Sequence, residues 1–292
     1  MIKRRKSEYT FKIVNSLAMI LIGIIMLYPL WYVIVASLMP YQELMQSSGA
    51  ILLPKHTTLA SYKMVFKNSQ MLRSYGNTLF IVGVGTALSL TLTSIAAYFL
   101  TREDVKFQKP IYLMIIVTMY FSGGMIPFYF TVRNLGLENS IWALILPTAM
   151  DTFNLILLKS AFENIPKSLQ ESAEIDGAGH MQVLFKIILP VSKAALAVVG
   201  LYYAVGKWNA WFNAMLFLKE RSQYPLQLIL REILIQNDMS AMSDSLGYSE
   251  LGFISETIKY ATIVIATVPI LCIYPFLQKY FAKGALIGSV KG

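Results

Sequence analysis

An all-α membrane protein with six transmembrane helices and both termini cytoplasmic is the fold class predicted by three features: apolar composition, six long apolar runs, and the placement of basic residues. Of the 292 residues, 56% are hydrophobic and only 14% charged, against roughly 25% charged in soluble domains, and the mean hydropathy is +0.56. This composition excludes a water-soluble enzyme. A net charge of +9 in such a chain points to the anionic headgroups of membrane lipid, not to nucleic acid. The single Cys272 leaves no intrachain disulfide, and His56 and His180 lie too far apart for a metal-ligand spacing.

A helix needs about 20 mostly apolar residues to cross the hydrocarbon core. After a basic amino-terminal segment, residues 1–12 with Lys3, Arg4, Arg5 and Lys6, the first such run is Ile13 to Leu38. It is too long for a signal-peptide core and no A-x-A-like site closes it, so it predicts an uncleaved signal anchor. The next five runs are Asn77 to Leu100, Pro110 to Val132, Ser140 to Leu158, Ala194 to Leu218, and Thr257 to Tyr280; residues 283–292 form a tail. With the amino terminus inside, the cytoplasmic segments carry fifteen of the 25 Lys and Arg residues, the bias of the positive-inside rule. Two outer segments, Met39 to Gly76 and Lys219 to Glu256, are long enough to fold on the surface. The second carries Leu226, Ile229, Leu230, Ile233 and Leu234 at helical spacing, which predicts an amphipathic helix lying on the membrane, on a partner or on its own chain. Asn237 to Glu250, polar and rich in Ser and Met, reads as a connection. No internal repeat points to a repeat-built secondary transporter.

Between the fourth and fifth runs lies the segment 161–190, longer than a helix connection requires. Pro166 suits a first helical turn, and Glu171 and Glu174 stand three apart. A short exposed helix is predicted, with small residues Ser172, Ala173, Gly177, Ala178 and Gly179 that let another surface approach its backbone. These properties alone fit a docking element and a self-packed re-entrant loop equally. The spacing is more specific: Glu171-Ser172-Ala173, three residues, Gly177, nine residues, Ile187, one residue, then Leu189 and Pro190. It resembles the EAA-x3-G-x9-I-x-L-P loop of bacterial ABC importer permeases, with Ser172 as a small-for-small departure. FSGGMIPFY at 121–129, LGLENSIWALILP at 135–147, WNAWFNAMLFL at 208–218, YPLQLILREI at 224–233 and KGALIGSVKG at 283–292 are similar to the carbohydrate-uptake branch related to the MalG subunit of the maltose importer, on the side handling complex oligosaccharides.

The resemblance implies a MetI/MalG-like permease fold over residues 13–282, forming half of a heterodimeric pore with a second MalG/MalF-like permease. It implies two copies of a cytoplasmic ABC ATPase docked on a coupling helix around Glu171, Ser172, Ala173, Asp176 and Gly177, followed by Ile187, Leu189 and Pro190. It also implies an extracellular or periplasmic solute-binding protein delivering a carbohydrate, in a bacterial cytoplasmic membrane. ATP and Mg would sit on the partner ATPase. In keeping with this, the chain has no G-x-x-x-x-G-K-[ST] phosphate loop, and no cofactor of its own is expected.

Candidate path residues follow from polarity at bilayer depth. Asp151 is costly there unless it faces a cavity or a partner; Asn154 lies one turn on, and Lys207 is a candidate ion-pair partner or a snorkelling cation. Trp208, Asn209, Trp211 and Asn213 combine aromatic faces and amides as sugars require, with Asn209 and Asn213 expected on one helix face; interface anchoring by Trp and helix packing are the plainer alternatives. Gly123, Gly124, Pro127 and Pro147 predict kinks. An intramembrane enzyme finds no nucleophile-base spacing; a stand-alone ion-coupled carrier or channel leaves the EAA-like segment unexplained.

Overall fold

The computed structural model describes residues 6–47, 49–235 and 256–272. Among them no strand occurs. The helices are α1 (Lys6–Leu38), α2 (Tyr41–Gln46), α3 (Ala60–Lys67), α4 (Ser69–Thr101), α5 (Gln108–Tyr120), α6 (Met125–Asn134), α7 (Trp142–Ile145), α8 (Thr152–Glu163), α9 (Lys167–Ile175) and α10 (His180–Val183). A wide-turned π segment (Leu184–Ile188) leads into α11 (Leu189–Val191), α12 (Lys193–Trp208), α13 (Phe212–Phe217) and α14 (Leu226–Ile235), and residues 256–272 form α15.

Among the described residues two helices are individually long and apolar enough to cross a membrane: α1 over Phe11–Leu38 and α4 over its 33 residues. Both match predicted runs, although α4 starts eight residues before Asn77. Its polar first turns are held by side chains: Gln70 Nε2 donates to the Arg221 carbonyl at 2.5 Å and Asn77 Nδ2 to the Ser222 carbonyl at 2.8 Å. The third run is broken. α5 and α6 meet at 118°, because Gly124 takes φ +89°, a left-handed conformation that glycine adopts without steric cost. The fourth run is not one helix: α7 and α8 are parted by residues 146–151, where Pro147 has no amide to donate and Asp151 caps the restart. The fifth run ends as a helix at Trp208 and resumes at Phe212, and α12 is bent 88° from the preceding α10–α11 segment. The π-turns just before Pro190 widen the helix where the proline ring would crowd the carbonyl four residues back. Of the sixth run, 257–272 is helical; residues 273–280, the tail 283–292, the first five residues and Asn237 to Glu250 lie outside the described residues.

The chain forms two units. In the first, Val35, Ala36 and Met39 are buried with Leu44 of α2 and Ile51, and Tyr260 of α15 packs against them; hydrogen bonds join Ser37 to Tyr62 of α3 at 2.7 Å and Ser61 of α3 to Thr257 at 2.9 Å. In the second, α4, α8, the π segment and α12 enclose Tyr98, Leu100, Leu155, Leu158, Phe162, Leu184, Ile188, Val199 and Tyr203. A further cluster joins Ile81, Leu144, Ile145, Ala214, Leu218 and Leu228. The predicted amphipathic helix is α14, and it packs on its own chain: of the predicted stripe Leu226, Ile229 and Ile233 are buried, as is Leu228, while Leu230 is half-buried and Leu234 exposed, and the Leu226 amide donates to Thr78 Oγ1 at 2.8 Å.

Candidate functional site

Helix α9 begins after Pro166, whose missing amide costs nothing at a helix start. It ends in a Schellman turn: the Gly177 amide donates to the Glu174 carbonyl at 3.0 Å and the Ala178 amide to the Ala173 carbonyl at 2.9 Å. This closure requires the left-handed residue that Gly177 supplies at φ +80°. Ala173 and Ala178 lean on the larger hydrophobic cluster, and the rest of the helix is largely exposed, Glu171, Ser172, Asp176 and Gly177 included. Ser172 Oγ bonds back to the Ser168 carbonyl at 2.8 Å. Glu171 has no ion pair among the described residues.

The base of α9 is tied to the loop after α4. Arg102 grips Asp104 with two parallel hydrogen bonds, at 2.8 and 3.0 Å, and donates a third to Glu174 of α9. Lys167 bonds Glu103 at 2.7 Å. The Arg102 hydrogen bond holds Asp104 below the usual carboxylate range, and that of Lys167 does the same for Glu103. Between these elements, α5 and α8 lies a charged cavity of about 670 Å³ that Glu171 and Glu174 also line. Lys159 lies over the Tyr112 ring at 4.6 Å beside it. Ile187 and Leu189 are half-buried and Pro190 is exposed, so this half of the motif anchors the segment through Leu189 and its neighbour Ile188 to the same cluster.

A second cavity, about 550 Å³, opens between the α7–α8 break and α12, and Asp151, Asn154, Lys207 and Asn213 all line it. Asp151 Oδ1 accepts the Asn154 amide at 2.9 Å, a cap worth about 1 kcal/mol to the helix. The Tyr203 hydroxyl accepts the Asp151 amide at 3.0 Å and meets Thr93 Oγ1 at 2.7 Å, so one phenol joins α4, α8 and α12. The Asp151–Lys207 ion pair does not form: Lys207 Nζ donates to the Thr148 carbonyl and hydroxyl at 3.4 and 3.3 Å. It does not snorkel either, since only 7% of Lys207 is exposed.

The other path candidates separate. Asn209 and Asn213 do not share a helix face, because α12 stops at Trp208; Asn209 caps it, its Nδ2 bonding the Val205 carbonyl at 3.0 Å. Trp208 is buried edge-on to Tyr75 at 6.0 Å, and the Trp211 ring carries the Arg231 guanidinium at 4.4 Å. The residues that sequence reasoning missed are Arg102, Glu103 and Asp104 as partners of α9, and Thr148 and Tyr203 at the second cavity. The run of charge after α4 was a signal, but its partners lie 64 and 72 positions away, beyond any local spacing rule.

Comparison with known proteins gives a consistent answer. The chain is 44% identical over 279 residues to the polygalacturonan/rhamnogalacturonan transport system permease protein YtcP of Bacillus subtilis, covering 94% of this chain and 96% of that one. It is 45% identical to protein LplC of the same organism, covering 98% and 97%. Its fold, with a TM-score of 0.89 and 30% identity over 96% of this chain and 100% of the other, matches a chain of a bacterial ABC transporter involved in the import of the acidic polysaccharide alginate. Residues 89–286 match the model of the binding-protein-dependent transport system inner membrane component. With more than half of its length inside that match and a MetI-like, all-helical architecture, the chain belongs to this family of transport permeases.

Proposed function

We propose that the chain is one of two permease subunits of an ATP-driven importer of acidic oligosaccharides. The observation that carries the coupling half of this reading is α9: an exposed helix whose Glu171 forms no ion pair among the described residues, ended by a left-handed glycine and fastened to the hydrophobic cluster along one side. A cytoplasmic ATPase gripping Glu171, Ser172 and Asp176 would move α9 and, through the Ile187-to-Pro190 anchor, the bundle behind it. The substrate half rests on the relatives that transport polygalacturonan/rhamnogalacturonan and alginate. A solute-binding protein fits the family to which the chain belongs. In this reading residues 13–282 form a six-span domain between the cytoplasmic segments 1–12 and 283–292, and ATP and Mg bind two ATPase copies, leaving this chain non-catalytic. The open apolar flank of α1, where Leu21 is 60% and Met26 71% exposed, suits lipid and a second permease.

The test is reconstitution in proteoliposomes with the second permease, the ATPases and the binding protein. Uptake of an oligogalacturonide is expected to require ATP on the ATPase side and the binding protein on the other; equal uptake without ATP would favour an ion-coupled carrier. Glu171→Lys is expected to lose most of the copurifying ATPase while retaining the second permease, and unchanged ATPase recovery would remove Glu171 from the contact.

A further inference from the structure

We propose that Lys207, together with Asn154, forms the point in this chain's share of the path that recognises the carboxylate of a uronic acid unit. This rests on the reading of the chain as an importer of acidic oligosaccharides and assigns that specificity to particular atoms. Lys207 sits in the last turn of α12, and its stem is threaded over Gly85 of α4. A Cβ at Gly85 would come within 2.7 Å of Lys207 Cδ and 2.9 Å of Cε, so a bare backbone there is what lets the side chain pass. The ammonium group emerges at the α7–α8 break, where its hydrogen bonds go to the two Thr148 oxygens, both neutral and both at the long end of the hydrogen-bond range. No carboxylate oxygen lies within 4 Å among the described residues.

A buried cation without a counter-charge is costly. Asp151, which lines the same cavity, is spent elsewhere: its carboxylate caps α8 and faces the positive end of that helix. The ammonium is thus left without an ion pair among the described residues. On the same wall Asn154 is 5% exposed and its Oδ1 is buried without a hydrogen-bond partner among the described residues. The cavity, about 550 Å³ in volume and within the ~300–1,000 Å³ of small-molecule sites, is therefore lined by a cation with no ion pair among the described residues, and the donorless amide oxygen of Asn154 is buried in its wall. A uronate ring supplies a carboxylate for Lys207, and a hydroxyl for Asn154 once its amide oxygen, which has no exposed surface, turns out to the cavity. A neutral sugar supplies only the hydroxyl.

The experiment uses the complete reconstituted importer and two substrates of equal length, a free-acid oligogalacturonide and its methyl ester, with each variant's uptake divided by the wild-type value for the same sugar. Lys207→Met is expected to lower free-acid uptake by about tenfold or more, the loss of one charge-assisted contact, while ester uptake stays within about twofold. Lys207→Arg should keep most of the free-acid uptake. Gly85→Ala, outside the cavity lining, is a second probe: its methyl displaces the Lys207 stem and should shift the acid-to-ester ratio the same way. Equal loss on both sugars would make Lys207 a structural clip between α4 and α12 and overturn the proposal, as would a ratio unchanged in every variant. A wild-type complex that hydrolyses ATP but imports neither sugar would instead bring down the importer reading on which this one stands.

Discussion

Vesicles carrying Gly177→Pro are expected to lose ATP-driven oligosaccharide uptake altogether while the permease pair still assembles. Gly177 holds φ +80°, and proline locks φ near −65°, so the chain cannot turn back after α9. The substitution also deletes the amide that donates to Glu174 and misdirects the Ala178 amide from Ala173. What fails is the angle at which α9 leaves the bundle. Gly177→Ala isolates the backbone cost, since nothing lies within 4 Å of an added Cβ; the left-handed conformation then costs roughly 1–2 kcal/mol. Asn, which tolerates that conformation, should lie between Ala and wild type. The order of uptake rates expected is wild type, Asn, Ala, with Pro at background. Wild-type uptake by the proline variant would show that α9 transmits nothing.

Arg102→Glu should reduce uptake by about tenfold or more, with α9 becoming faster in amide hydrogen exchange. The Arg102 side chain is only 16% exposed and bridges Asp104 and Glu174, and partly buried hydrogen bonds to charged groups contribute about 1.5–3 kcal/mol. The variant puts a third carboxylate beside two others. Arg102→Lys keeps the charge but not the planar fork, so partial loss is expected; the swap of Arg102→Glu with Glu174→Arg should recover part of the uptake. The pH dependence has a fixed sign. Asp104 and Glu103 are held below their ordinary values by hydrogen bonds from Arg102 and Lys167 respectively. Their contribution is complete above the unfolded values, about 3.9 and 4.3, and is lost as pH falls through the lower folded ones. Exchange protection of α9 should be flat from pH 8 to about 5 and decline below about 4. Salt should act first on the Lys167–Glu103 pair, whose side chains are 69% and 82% exposed. Protection that changes between pH 6 and 8 would mean another group controls the joint.

The start of α9 at Pro166 was legible because it depends on one residue's own backbone preference, and the spacing from Glu171 through Gly177 to Pro190 because it resembles a family motif. The breaks at Gly123-Gly124 and Pro147 were legible for the same reason as the start at Pro166. The shared face of Asn209 and Asn213 was not: a 3.6-residue period presumes an unbroken helix, and α12 ends at Trp208. The amphipathic pattern of α14 announced a buried face without saying what would cover it, and Thr78 of α4 and the cluster around Leu228 proved to be the cover.

What the sequence determined by itself was therefore the class of element at several positions: apolar length for α1 and α4, a missing amide or Cβ for the breaks at Gly124 and Pro147, a motif for α9. Tertiary structure alone decided which distant groups meet: Arg102 with Glu174, Lys207 with Thr148, Tyr203 with the Asp151 amide. The reason is physical. Helix starts, stops and kinks follow from hydrogen bonds within about four residues, whereas a side chain's partner across a bundle is fixed by where a bare glycine such as Gly85 lets it pass and by which buried polar atom would otherwise go unpaired.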